Sequence, residues 1–419
     1  MNSRERVLSA INHRQPDRLP VDLGATPSSG ISALAYKNLI DYLGIDGKAM
    51  IYDVVQQLAL PEAAVMERLG VDVIDIAQAF RGGDDDWYPI TMRGGKEGYY
   101  PSWFRPVQGK RGQFDVFHRD GELIASMPEG AGFFDQTFFP WKDGYPDSRS
   151  AMEEAIDEAM DKVLWQNLAH SPWDRVGEPD FWNTLKVKTK VLRDESDKAL
   201  LIVCGCNLFE WGTFLRRMDN FLMDLYIDKK NVAMLLEILM ERHMKTLENV
   251  CAAVGDSVDI IRFGDDLGMD SGPFMGLDIY RELFHEHRSR LCSFVHENSS
   301  MHTFLHTCGS VYQYLPSLID EGIEIINPVQ TNCRDMQPER LKAEFGDDLV
   351  FWGGGADPRE ILNNGTPDEV RRDVLSRLEV FAPGGGYVFN SIHNILSDVP
   401  PENIMAAFGA LEIFNGRNK

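Results

Sequence analysis

His306-x-Cys308 is the sharpest pair of chemistry-bearing residues in the chain. Residues i and i+2 of a strand point to the same side. One imidazole and one thiolate placed that way could share an ion, and zinc accepts both ligand types. A bound thiolate would stay deprotonated. The plainer outcome of so short a motif is a buried cysteine beside a hydrogen-bonded histidine. A third ligand is open among Cys206, Glu210, Asp265, Cys333 and His393, which all fall at or just after expected strand ends. Cys204-x-Cys206 is a second same-side pair, read here as packing. His285-x-His287 falls in an expected helix, where two positions lie about 200° apart. Those two imidazoles cannot share an ion and are expected on the surface.

Asp265 and Asp266 follow an apolar run directly, in Phe263-Gly264-Asp265-Asp266-Leu267-Gly268. A carboxylate there can act as a base, orient a substrate or cap the next loop; a purely structural turn explains either residue taken singly. Gly353–Gly355 and Gly384–Gly386 lack the lysine and Ser/Thr of a P-loop and the G-x-G-x-x-G of a dinucleotide site. Gly384–Gly386 directly precedes a strand and reads as a turn.

The elements that must position these residues alternate. From residue 150 onward, helices are expected at Arg149–Asn167, Phe181–Ser196, Lys229–Val254, Asp278–Asn298, Ser310–Glu321, Pro338–Phe345, Thr366–Phe381 and Pro401–Phe414. Thr366 can cap and Glu369 can complete a capping box. Between the helices lie apolar runs at 200–206, 258–266, 301–309, 323–330, 349–355 and 387–394. With Leu19–Leu23 and Val71–Ala77 these make eight strands. Continuous apolar strands alternating with helices imply a parallel sheet covered on its outer face. Eight of them predict a closed α/β fold, the (β/α)8 TIM barrel, with an open doubly wound sheet as the alternative. The site of such a barrel lies at the C-terminal ends of its strands. Those ends read CGC, GDD, HTCG, NPVQ, GGG and NSIHN.

The remainder decorates that barrel. Residues 1–18 read as an N-terminal helical segment with Ser3 as N-cap. Ala33–Leu43, Ile51–Leu60 and Ala63–Leu69 look helical. Residues 81–145 read as a β-rich insertion, with a hairpin at Gln113–Ser126 and aromatics that form a small core. Residues 1–419 are taken as a single domain.

Composition narrows the function. Lys plus Arg number 42 against 65 Asp plus Glu, for a net charge of −23. Such a surface repels phosphate backbones and anionic lipids, so nucleic-acid and membrane-surface roles are disfavoured. An anionic substrate would need a local basic pocket working against the overall field. No run of eighteen apolar residues and no signal peptide are present, so a cytoplasmic protein is expected, with its six cysteines as thiols.

Five segments carry a resemblance: NSRERVLSAINHRQPDRLPVD, GDDLG (264–268), HTCGSVYQYLPSLIDEGIEIINPVQ (306–330), FWGGGADPREILNNGTPDEV (351–370) and PGGGYVFNSIHNILSDVPPENI (383–404). Together they resemble the uroporphyrinogen decarboxylase superfamily, and more closely its corrinoid-dependent methyltransferase branch. The resemblance implies a (β/α)8 barrel. The true decarboxylases carry R-Q-A-G-R-Y near the N-terminus for the substrate's carboxylates. Here the matching region, Pro20–Pro27, has no arginine, and uroporphyrinogen is not the expected substrate. In the methyltransferase branch H-x-C supplies two zinc ligands, matched by His306 and Cys308. The cysteine near the last strand that completes a thiol-methylating site is missing from Tyr387–Asn394, which argues against coenzyme M as acceptor.

The resemblance implies zinc on His306 and Cys308, with Glu210 as the third ligand expected here and His393 or Asp265 as alternatives. Asp265 and Asp266 are the expected catalytic acids. Asn327, Gln330, Asn390 and His393 are expected to bind substrate. The implied reaction moves a methyl group from a small methylated compound, such as a methoxylated aromatic, to the cobalt corrinoid of a partner protein. The chain would act as a monomer or homodimer. Two alternatives stand beside it. One is a metal-free lyase of decarboxylase type, with Asp265 as the stabilising carboxylate and Arg216, Arg217, Arg262 or Arg334 as the cationic cradle. The other is a non-catalytic paralogue that binds a corrinoid or tetrapyrrole.

Overall fold

The computed structural model describes residues 1–417. Seven parallel strands, each hydrogen-bonded to the next in chain order, form one curled sheet. They are Val73–Asp75, Ala199–Gly205, Ile260–Gly264, His302–His306, Ile325–Asn327, Val350–Trp352 and Tyr387–Val388. Residues 20–22 supply the eighth stave and close the ring. On one side Val21 bridges Phe389 in parallel, Phe389 N–H donates to the Pro20 carbonyl and Asp22 N–H to that of Phe389. On the other, Asp72 N–H donates to the Val21 carbonyl. Pro20 has no N–H to extend this ladder, so the strand expected at Leu19–Leu23 shrinks to a bridge.

Side-chain alternation sorts the strands into two layers. Leu200, Ile202, Ile261, Phe263, Leu305, Ile326 and Phe351 face outward and join the large core shared with the helices. Val73, Ala199, Leu201, Ile260, Phe304, Ile325, Trp352 and Val388 face inward and fill the barrel. Val7, Ala10 and Ile11 of the helix Ser3–Ile11 join this inner cluster and plug its N-terminal end. Asn2, rather than Ser3, caps that helix, because its side chain accepts the Glu5 N–H while Glu5 returns to the Asn2 N–H. Arg6 and Arg18 pin the segment to the buried Asp72 carboxylate at 2.8 Å.

Two residues further along each strand, the inner face turns polar: Asp75, Arg262, His306, Asn327 and Asn390 succeed Val73, Ile260, Phe304, Ile325 and Val388. The barrel is therefore an apolar plug with a polar floor at its C-terminal mouth.

The helices stand near their expected places, with three adjustments. Arg149–Asn167 splits into Arg149–Asp161 and Leu164–Asn167. Asp278–Asn298 carries a π turn at Arg281–His285. Ser310–Glu321 shortens to Leu315–Asp320. The Thr366 capping box forms as expected. Ile51–Leu60 is not a helix. It forms the strands Ile51–Asp53 and Leu58–Ala59, joined by a turn in which Asp53 Oδ1 accepts the Gln56 N–H at 2.9 Å. Residues 51–55 are buried without a break, so their apolar spacing carries no periodicity. His285 and His287 are half-buried rather than surface residues, and His285 Nδ1 lies 2.9 Å from Glu321 Oε1.

The insertion holds one antiparallel pair, Trp87–Thr91 with Glu97–Pro101, and a four-stranded sheet built on the hairpin Phe114–Phe117 with Leu123–Met127. Phe104 packs edge-on against Tyr100 and Phe134, at 4.9 and 5.7 Å between ring centres. All three belong to the main core. Among the described residues no helix is long and apolar enough to cross a membrane.

Candidate functional site

His306 ends its strand on the polar floor. Its Nδ1 lies 2.8 Å from Asn327 Oδ1. The Asn327 amide is oriented by two other bonds: Nδ2 donates to the Trp352 carbonyl at 2.8 Å, and Oδ1 accepts from Ser28 Oγ at 2.7 Å. An oxygen therefore faces His306, Nδ1 carries the proton, and Nε2 presents its lone pair. That lone pair lies 3.5 Å from Cys308 Sγ. Cys308 is held by its own N–H, which donates to Asp266 Oδ1 at 2.8 Å. The next residue, Gly309, has φ +87°, and a Cβ there would stand 2.2 Å from the Gly268 backbone. Only glycine permits this close turn.

His393 arrives from the loop after Tyr387–Val388, with its ring centre 5.7 Å from that of His306. The ligand atoms of His306, Cys308 and His393 all lie within 4.8 Å of one another. Two imidazoles and a thiol fit zinc, whose catalytic sites use three protein ligands and keep a fourth position open. Burial and the nearby Arg262 charge hold the His306 imidazole well below its usual pKa. Burial lowers His393 likewise. Both rings are thus neutral, as a metal ligand must be. Burial and Asp266 push the Cys308 thiol well up.

The remaining sequence candidates fall elsewhere. Glu210, expected as the third ligand, stands at the start of the helix Phe209–Arg216 and accepts from Asn207 Nδ2. It reaches the cavity but not the His306–Cys308–His393 group. Burial, then the Asp266 charge, raises its carboxyl well above the usual range.

Asp265, expected to be catalytic, is fully buried. It accepts the N–H groups of Leu208, Phe209 and Glu210 at 3.2, 3.1 and 2.9 Å and pairs with Arg288 Nη2 at 2.8 Å. With its oxygens so engaged it anchors a helix start and does not line the cavity. Asp266 does line it. Asn327, expected to bind substrate, spends its amide on His306, Ser28 and the Trp352 carbonyl. Gln330 Oε1 accepts the Gly309 N–H and so ties down the loop that carries Cys308. Asn390 donates to the Ser391 carbonyl, and its buried Oδ1 lacks a partner. Cys206 lies on the cavity wall with its Sγ 3.7 Å from that of Cys204, and Cys333 is turned to Asp270.

The cavity over this floor measures about 450 Å³. Arg262, Asp266, His306 and His393 line its polar end. Trp165, Trp173, Trp182, Trp211 and Phe214 supply much of the wall. Trp173 is fixed by its indole N–H, which donates to the Val203 carbonyl. Sequence reasoning missed this wall, since the tryptophans come from separate helices and loops and share no spacing. Pockets of this size suit small molecules bound by apolar walls and a few convergent polar groups.

Comparison with known proteins agrees with the fold. The profile of the family described as Uroporphyrinogen decarboxylase (URO-D) matches residues 190–412, more than half of the chain. The chain belongs to this family, and its barrel is the family's (β/α)8 fold.

Two curated uroporphyrinogen decarboxylases show local similarity. That of Psychromonas ingrahamii is 36% identical over 91 residues, covering 22% of this chain and 24% of the relative. That of Pseudoalteromonas translucida is 39% identical over 70 residues, covering 17% and 19%. The similarity thus spans a quarter or less of either relative's length. A solved methyltransferase from Methanosarcina mazei superposes over 99% of both chains, with a TM-score of 0.58 at 17% identity; that likeness is one of fold.

Proposed function

We propose that this protein is a methyltransferase that takes a methyl group from a small methylated compound, such as a methoxylated aromatic, and passes it to a cobalt corrinoid carried by a partner protein. The grouping of His306, Cys308 and His393 at one end of a tryptophan-walled cavity carries this reading. Zinc bound by these three would supply Lewis acidity toward the heteroatom that loses the methyl group.

The chain's own residues do the rest. Asn327 holds His306 in the tautomer that offers Nε2. Asp266 and Gln330 fix the backbone of Cys308 and Gly309. The tryptophans hold a flat substrate and exclude water. A cavity of about 450 Å³ suits a small donor rather than an octacarboxylate macrocycle. The segment 20–27, which would need arginines for such a macrocycle, has none.

The test is metal content after chelator-free purification, beside methyl transfer from methoxylated aromatics to a reduced corrinoid. About one zinc per chain is expected, with metal and activity lost together in Cys308→Ala and His306→Ala. A fully active, metal-replete Cys308→Ala would sink the reading. Carbon dioxide release from an acid, without methyl transfer, would favour a lyase.

A further inference from the structure

Arg262 lies on the inner face of the Ile260–Gly264 strand, where the cavity meets the polar floor. The residue is 9% exposed, and its Nε is buried without a hydrogen-bond partner. Among the described residues its guanidinium forms neither a hydrogen bond nor an ion pair. The other buried arginines are matched: Arg6 with Asp72, Arg216 with Asp224 and Arg288 with Asp265, each at 2.8 Å. Arg242, the second arginine on the cavity wall, reaches out to Asp157 at 2.7 Å.

A buried cation that no carboxylate touches is costly, and this one faces a ligand space, with the charges of Glu210 and Asp266 acting on it only from a distance. The two acids nearest it in the cavity serve other donors: Asp266 takes the Cys308 N–H and Glu210 takes the Asn207 amide. The strand leaves room for the charge. A Cβ on Gly264 would come 3.4 Å from Arg262 Nη1 and 2.9 Å from Asn207 Nδ2. Trp173, Trp182 and Trp211 line the same cavity. Around it the protein carries a net charge of −23, so an anion would be held here only by a local cation.

We infer that Arg262 is the receptor for the carboxylate of the substrate, and that the cavity selects small aromatic acids. The planar guanidinium can hold a carboxylate through two parallel hydrogen bonds. The flat remainder lies among the tryptophans, in reach of His306 and His393. The inference rests on the reading of this cavity as the methyl-donor site and names the donor's class.

The test is equilibrium binding followed by tryptophan fluorescence, on metal-free and zinc-loaded protein. The probes are 4-methoxybenzoate and its neutral isostere 4-methoxybenzamide. Wild type should favour the acid by roughly tenfold or more, with or without zinc. Arg262→Gln should lose the preference, and Arg262→Lys should retain part of it. Equal binding of acid and amide by wild type overturns the inference, and needs no variant to fold. So does an unchanged preference in Arg262→Gln, or a preference that vanishes with the metal, since the carboxylate would then be bound by zinc. Because binding needs no corrinoid, the two readings fail separately. Acid-selective binding without methyl transfer would sink the methyltransferase. Undiminished transfer from 4-methoxybenzoate in Arg262→Gln would sink only the role of Arg262.

Discussion

The 2.8 Å contact between His306 Nδ1 and Asn327 Oδ1 decides which nitrogen of His306 is available for chemistry. The two residues are register partners on adjacent strands. Asn327 is itself fixed by Ser28 and the Trp352 carbonyl, so the orientation of one imidazole is set by three staves of the barrel. Outer partners of this kind commonly change metal affinity about 10- to 100-fold when removed. Asn327→Ala should therefore weaken zinc by that order in a chelator competition, with His306 and Cys308 intact. Unchanged affinity would mean that Asn327 serves only the barrel.

Asp265 and Asp266 are neighbours with separate duties. Asp265→Ala would leave Arg288 buried beside a lost partner and uncap the helix Phe209–Arg216. Breaking a buried pair costs about 3–5 kcal/mol, which denaturant unfolding would register. Asp266→Asn keeps an oxygen for the Cys308 N–H and should cost little stability, while altering the charge beside Cys308. Equal stability losses in the two variants would contradict this division.

The third ligand separates His393 from Glu210. His393→Ala should lose bound zinc. Glu210→Gln should keep it, because that side chain is engaged by Asn207 and its carboxyl is already raised toward the neutral form. Metal analysis of the two variants decides, and a zinc-free Glu210→Gln would restore the acid to the ligand set.

How far this was legible depended on the range of the interaction. The barrel could be read because βα alternation is local, and its polar floor because inward positions recur every second residue. His306 and Cys308 share a strand end, so spacing put them on one side, while their reading as ligands came from the family resemblance. His393 joins them through ring closure, from a loop 85 residues downstream of Cys308, and short-range spacing carries no signal for that. Nor does it tell Asp265 from Asp266: the difference lies in Arg288, on a helix that follows. The cavity wall was hidden for the same reason. Ile51–Leu60 misled because complete burial erases periodicity.

Asp75 gives a stability prediction with a definite sign. It sits on the polar floor, fully buried, with Oδ1 accepting the Ala77 N–H at 2.9 Å and Oδ2 without a partner. Burial raises its pKa from 3.8 to about 6, against the lowering pull of His170, the Ala77 N–H and Arg262, while Asp22 adds to the rise. The folded state thus holds this proton more tightly than the unfolded chain. The stabilising contribution is complete below the unfolded value and is lost as pH rises through about 6. Asparagine keeps the bond to Ala77 and carries no charge. Asp75→Asn should match wild type near the low end of that window and exceed it increasingly as pH rises, by up to about 3 kcal/mol at neutral pH. Guanidinium unfolding of both proteins at pH 5 and pH 8 measures the difference. A gap that stays constant between those values would show that Asp75 is not held protonated by its burial.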